Sequence, residues 1–246
     1  MTAREVAEGF SSERVPGEEA AIVPAPGAGV RHRVSRPSGS TGWVLLAVMT
    51  AIAIGIGVFA WQSLPHNPGE GSAEAGFLRD MQTHHSQAVE MAMTIRDRTS
   101  DEQLKSLATD IAFSQATETG MMTGYLDAWN LPFAGNDAPM TWMGHPLVSG
   151  ELMPGMASTE QVAELKTLPV VQAEILFLQL MIRHHQGGVE MANDILARSD
   201  NSLVRDMAQR IVRVQSSEID TMNQFLVSRG EKPITDPLPE SHSHGG

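Results

Sequence analysis

Shifted by 100 residues, the chain aligns with itself. FLRDMQTHHSQAVEMAMTI at 77–95 lies over FLQLMIRHHQGGVEMANDI at 177–195, with identity at Phe77/Phe177, Leu78/Leu178, Met81/Met181, His84/His184, His85/His185, Val89/Val189, Glu90/Glu190, Met91/Met191, Ala92/Ala192 and Ile95/Ile195. The register continues, since Ala108, Ile111, Gln115, Glu118, Met122 and Leu126 meet Ala208, Ile211, Gln215, Glu218, Met222 and Leu226. A duplication constrains a fold strongly, because each copy must bury its apolar stripe and the other copy is the nearest partner.

The repeated unit is a helical hairpin. At 100° per residue, with Met81 as zero, Phe77, Leu78, His84, His85, Ala88, Val89, Met91, Ala92 and Ile95 fall within about 80° of it and Glu90 falls opposite. Ser100-x-x-Gln103 resembles a capping box that opens a second helix, Asp200 and Asn201 offer the same in the second copy, and Gly230 and Pro233 stop the last helix. Two hairpins this thin predict an all-α four-helix bundle over 76–230, with repeat one at 76–130 and repeat two at 167–230. Residues 131–158, rich in Pro, Gly and Met, form a long crossover; a short helix is expected over Thr159–Lys166, with Pro169 in the first turn of the third bundle helix. Gly187 and Gly188 stand where the first copy has Gln87 and Ala88. Two glycines inside a helix cost roughly 1 kcal/mol each, which points to a close backbone approach there.

The chain has no Cys, and this removes disulfides, thiolate metal sites, iron–sulfur clusters and thiol nucleophiles together. It has 15 Met and 5% aromatic residues, so the core must rely on aliphatic and thioether side chains. Met81 stands at i−3 from His84 and i−4 from His85, so one helix face offers thioether sulfur and imidazole nitrogen from adjacent turns, and the repeat offers Met181, His184 and His185 alike. Thioether is a soft donor suited to Cu(I), and imidazole serves Cu(I) and Cu(II); Ag(I) should behave similarly, whereas zinc favours the Cys that are missing. Methionine at helical spacing is ordinary core filler and one inward His is usually a hydrogen-bonded core residue, but two identical His-His pairs, each preceded by Met, are hard to explain by packing.

Glu118 and Glu218 share the inward face of the second helices with Gln115 and Gln215. Three readings stand for the carboxylates: acceptors that orient the imidazoles, direct ligands, or members of a buried polar network. In the crossover, Met140/Met143 and Met153/Met156 pair at a spacing of three beside His145, which reads either as an exposed accessory metal-capture site or as an apolar loop. His242 and His244 in the tail, residues 231–246, offer a weak accessory site at most.

Residues 43–61, WVLLAVMTAIAIGIGVFAW, carry no charge and match the ~20 residues needed to span a bilayer. Arg31, Arg33 and Arg36 precede this span and no Lys or Arg occurs from Gln62 to Gly76, so the expectation is a retained single-pass anchor, a cytoplasmic 1–42 tail of disordered composition, a linker at 62–75 and an extracytoplasmic bundle. Five Arg balance five Glu in the tail, so the net charge of −12 belongs to the outer part, where it suits cation handling or solubility alike and offers no footprint for nucleic acid.

FLRDMQTHHSQAVEMA and FLQLMIRHHQGGVEMA resemble the paired signature of the domain of unknown function 305 family, which includes copper-binding proteins of the CopM type. The resemblance covers about 74–230 and implies a ferritin-like four-helix bundle with copper or silver held by Met81, His84, His85 and Met91 and by Met181, His184, His185 and Met191. Three functions follow as expectations. The first is an anchored copper-binding protein for tolerance, storage or delivery, with a copper-accepting protein partner in the last case and no catalytic role. The second is a di-iron carboxylate enzyme, which needs Glu-x-x-His on two helices, a motif the bundle helices lack. The third is an interaction module whose His pairs are structural or pH-responsive.

Overall fold

The computed structural model describes residues 39–63 and 67–238, whose regular elements are all helices, with no strand among them. The tail expected over 1–42 lies outside the described residues except for its last four, as does the tail end with His242 and His244. The described residues fall into two units, one at 39–63 and one at 67–238.

The first unit contains α1 (Gly39–Ser63). Its stretch Gly42–Ala60 has a mean hydropathy of 2.4, and none of it is buried against protein, so one helix is long and apolar enough to cross a membrane.

The second unit holds α2 (Ala73–Arg98), α3 (Glu102–Ala128), α4 (Thr159–Thr167), α5 (Val170–Arg198) and α6 (Ser202–Ser228). Helix α2 packs on α3, α5 on α6, and α2 on α5. The caps differ in detail from the sequence expectation. Asp101 rather than Ser100 opens α3, because its carboxylate accepts from both Gln103 N and Leu104 N, and Pro169 sits at the N-cap of α5 rather than inside its first turn. Asn201 opens α6 in the manner of Asp101, and Ser158 with Gln161 forms a complete capping box on α4.

The duplication folds into an approximate two-fold arrangement. Thr99 Oγ1 donates to Glu174 Oε1 and Ser199 Oγ donates to Glu74 Oε1, both at 2.6 Å, so the start of each of α2 and α5 is tied to the end of the other and the two helices run antiparallel. They cross at the histidines: the His84 and His184 rings lie with centroids 3.7 Å apart.

The core is apolar at both ends of the bundle and polar in the middle. One cluster gathers Ala88–Ile95 of α2, Leu104–Ala112 of α3, Ala173–Ile182 of α5 and Met222 and Leu226 of α6. The other gathers Ala75–Met81, Met122 and Leu126, Met191–Ile195, and Val204–Ile211. Each fully buried Leu, Ile, Phe or Met contributes roughly 1.5–3 kcal/mol. Between the clusters, on all four helices, stand His84 and His85, Gln115 and Glu118, His184 and His185, and Gln215 and Glu218.

Candidate metal centre

The four histidines are fully buried, two on α2 and two on α5. Their Nε2 atoms are all engaged. His85 Nε2 meets Glu118 Oε2 at 2.8 Å and His185 Nε2 meets Glu218 Oε2 at 2.7 Å, a match one repeat apart. His184 Nε2 reaches the backbone oxygen of His84 at 3.0 Å, and His84 Nε2 reaches that of Pro154 at 3.0 Å. Carboxylates and carbonyl oxygens only accept, so each Nε2 carries a proton. All four Nδ1 atoms are buried without a hydrogen-bond partner.

That pattern suits a metal ligand: one nitrogen fixed by an outer acceptor, the other without a hydrogen-bond partner. Burial reinforces it. Desolvation, aided by the adjacent His85, pushes His84 down from its ordinary 6.5 to about 3, and burial with the surrounding imidazoles holds His184 well below its ordinary value. Both rings are therefore neutral at pH 7, and Nδ1 is free to donate without losing a proton first.

Thioethers flank the layer on both sides. Met81 and Met191 are fully buried in one apolar cluster, and Met91 and Met181 are fully buried in the other. The structure thus sets the four histidines in the middle of one bundle and the four methionines in the apolar clusters on either side. Among the described residues no three His, Asp or Glu side chains converge on one point, so imidazoles and carboxylates by themselves do not form a complete shell.

Glu118 and Glu218 accept from His85 and His185, the contact expected of carboxylates that orient the imidazoles. They differ in their surroundings. Glu118 is 8% exposed and its Oε1 also accepts from Arg210 Nε at 3.3 Å, whereas no such bond is seen at Glu218 Oε1.

The crossover is not an exposed capture site. Met140, Met143 and Met153 are buried in the apolar cluster that contains Met81, Met156 is half-buried against it, and His145 is exposed, with its backbone N–H donating to Met140 O at 3.3 Å. The anchor is Asp80 on α2, whose carboxylate accepts from Met140 N at 2.7 Å and from Trp142 Nε1 at 2.8 Å, while Trp142 packs edge-on to Phe77. Gly76 makes this contact feasible, because a Cβ there would stand 2.7 Å from the indole.

The next stretch of the crossover passes over the histidines. Gln87 clamps it, donating to Ala157 O and accepting from Ala157 N, both at 2.8 Å. Across from Gln87, a Cβ on Gly187 would meet Pro154 O at 1.9 Å, so only glycine lets the crossover lie this close to α5. Sequence reasoning missed the Pro154 carbonyl, the Gln87 clamp and Arg210. The Gly187-Gly188 pair was the one visible trace of the first.

The pattern of the domain of unknown function named DUF305 matches residues 74–226. The chain belongs to the DUF305 family. Solved structures share its bundle: a DUF305 protein from Streptomyces coelicolor is 46% identical with a TM-score of 0.64, over 68% of this chain and 100% of that one. A DUF305 fragment from Deinococcus radiodurans is 37% identical with a TM-score of 0.56, over 65% and 99%. CopM in its Cu(II)-bound form is 25% identical with a TM-score of 0.52, over 63% and 96%. An uncharacterized protein of Acanthamoeba polyphaga mimivirus is 45% identical over 51 residues, a match that spans 21% of this chain and about a third, 34%, of that relative.

Proposed function

We propose that this DUF305 protein is a membrane-anchored, extracytoplasmic copper-binding protein that serves metal tolerance, storage or delivery and catalyses no reaction. The observation that carries the reading is the set of four buried imidazoles whose Nδ1 atoms have no hydrogen-bond partner, flanked on both sides by buried thioethers. A donor set of imidazole and thioether favours Cu(I), accepts Cu(II) and suits Ag(I). The likeness to CopM in its Cu(II)-bound form supports copper as the cargo. Anchoring is supported by the apolar helix at 42–60, and its orientation by the three Arg that precede it.

The di-iron alternative finds less support, because such a centre needs several carboxylates and histidines around shared ions, and among the described residues no three converge. Equilibrium dialysis of the full-length protein in detergent micelles against Cu(I), Cu(II), Ag(I), Zn(II) and Fe(II) separates the readings. Stoichiometric copper that disappears when His84, His85, His184 and His185 are replaced by Ala is the expected result. A wild-type protein that retains no copper sinks the proposal, and preferential iron with oxygen uptake favours the enzyme.

A further inference from the structure

Two side chains of the polar layer have no part in the imidazole and thioether set: Gln115 and Gln215. Each is 2% exposed, and neither the oxygen nor the nitrogen of either carboxamide has a hydrogen-bond partner. A buried polar group left unpaired loses its hydration with nothing to replace it, which weighs against the fold. Two such amides at matching positions of a duplication therefore indicate a ligand rather than a packing accident. Their positions agree. Gln115 and Gln215 stand one turn before Glu118 and Glu218 on α3 and α6, between the two apolar clusters.

Gln215 also reaches across to α5. A Cβ on Gly188 would lie 2.3 Å from its Oε1, so the glycine lets the amide rest against the helix one turn beyond His184 and His185. Apart from Glu70 Oε1, the unpartnered buried side-chain polar atoms of the described residues are these four amide atoms and the four imidazole Nδ1 atoms.

Since no three imidazoles and carboxylates converge, additional donors must complete any shell in this layer. For Cu(I), the flanking thioethers supply them. Cu(II) prefers nitrogen and oxygen in a tetragonal arrangement, for which thioether is a poor complement. We propose that the carboxamide oxygens of Gln115 and Gln215 are the oxygen donors with which the layer holds Cu(II), so that one bundle accepts both oxidation states through different partners of the same imidazoles. This assignment rests on the copper reading above.

The test compares the full-length wild type with Gln115→Leu/Gln215→Leu in detergent micelles, with Cu(II), Cu(I) and Ag(I) titrated separately against a chromophoric competitor. Cu(II) affinity should fall about tenfold or more, which is about 1.4 kcal/mol, while Cu(I) and Ag(I) affinities stay within roughly a factor of three. The electron paramagnetic resonance spectrum of bound Cu(II) should change with it. Gln115→Glu/Gln215→Glu keeps an oxygen at each position and should retain Cu(II). Gln115→Asn/Gln215→Asn withdraws the oxygen by one methylene without placing Leu in the layer, and should weaken Cu(II) even if the Leu variant does not fold.

Unchanged Cu(II) binding in the Leu or Asn variant, equal losses for Cu(II) and Ag(I), or a Glu variant as weak as the Leu variant would each overturn the assignment while leaving copper binding intact. A wild type that binds neither oxidation state overturns the copper reading itself.

Discussion

The two hairpins carry the same ligand residues in different settings. In the first, Gln87 grips the crossover through two hydrogen bonds to Ala157; in the second, Gly187 replaces that side chain and Pro154 O occupies the space. Arg210 on α6 supports Glu118 of the first, and its counterpart in the sequence register is Asp110, which has no positive charge to offer Glu218. At the bundle ends Arg229 binds Glu174 through two contacts of 3.0 and 2.9 Å, and Trp129 stands in the matching position. The shared part is the part that chemistry would demand of both copies: imidazoles, their carboxylates, amides and thioethers. The divergence at Gln87 and Gly187 answers to the one crossover, which can pass over only one side of a two-fold arrangement.

Acid should produce the largest effect, because it acts on the shared part. His84 is lowered to about 3 and His184 well below 6.5 in the folded protein, so between these values and 6.5 the unfolded chain binds more protons than the folded one. Stability is then fully present above about pH 6.5 and is lost progressively as pH falls toward about 3. Two histidines give a slope of up to about 3 kcal/mol per pH unit. Urea unfolding of the metal-free protein across that range checks this, and a stability that rises on acidification would break the account of the neutral pair.

Gly187→Ala should come next, since its methyl group would collide with the Pro154 carbonyl. We expect a loss of about 2–3 kcal/mol in the unfolding free energy, despite the better helix propensity of Ala. Gln87→Ala on the other copy removes two hydrogen bonds without a clash and should cost about 1–2 kcal/mol. Equal losses would mean that the crossover does not distinguish the two sides.

The carboxylates sharpen the comparison further. Glu118→Gln disturbs His85 and Arg210 together and should cost about 2 kcal/mol; Glu218→Gln, at a position 15% exposed with one observed partner, should cost about 1 kcal/mol. Arg210→Ala should be the mildest, under about 1 kcal/mol, because its side chain is 39% exposed. Thermal unfolding of the three variants in one buffer ranks them, and a Glu218 variant weaker than the Glu118 variant would reverse the assigned asymmetry.

Much of this was legible in the chain. The offset of 100 residues and the 3.6-residue period placed the two hairpins, the inward histidines and the inward Glu and Gln, because helix geometry maps spacing onto direction. Packing of the crossover was not legible. Met140, Met143 and Met153 look alike in sequence whether they face water or core, and only the docking of Trp142 and Met140 on Asp80 decides that they are buried. Cap positions slipped by one residue at Asp101 and Pro169; at the first, neighbouring Ser100 and Asp101 compete for the same backbone N–H groups, and helix ends are the least sharply defined part of a helix.

By itself the sequence determined the donor inventory, its duplication and its inward direction, all of which are local consequences of residue type and helical period. The tertiary structure decided which nitrogen of each histidine is bare, because Nε2 is fixed by acceptors on other segments: Glu118, Glu218, Pro154 and His84. It also decided how the thioethers divide between the two sides of the polar layer, since antiparallel packing of α2 against α5 puts Met81 and Met191 in one apolar cluster and Met91 and Met181 in the other.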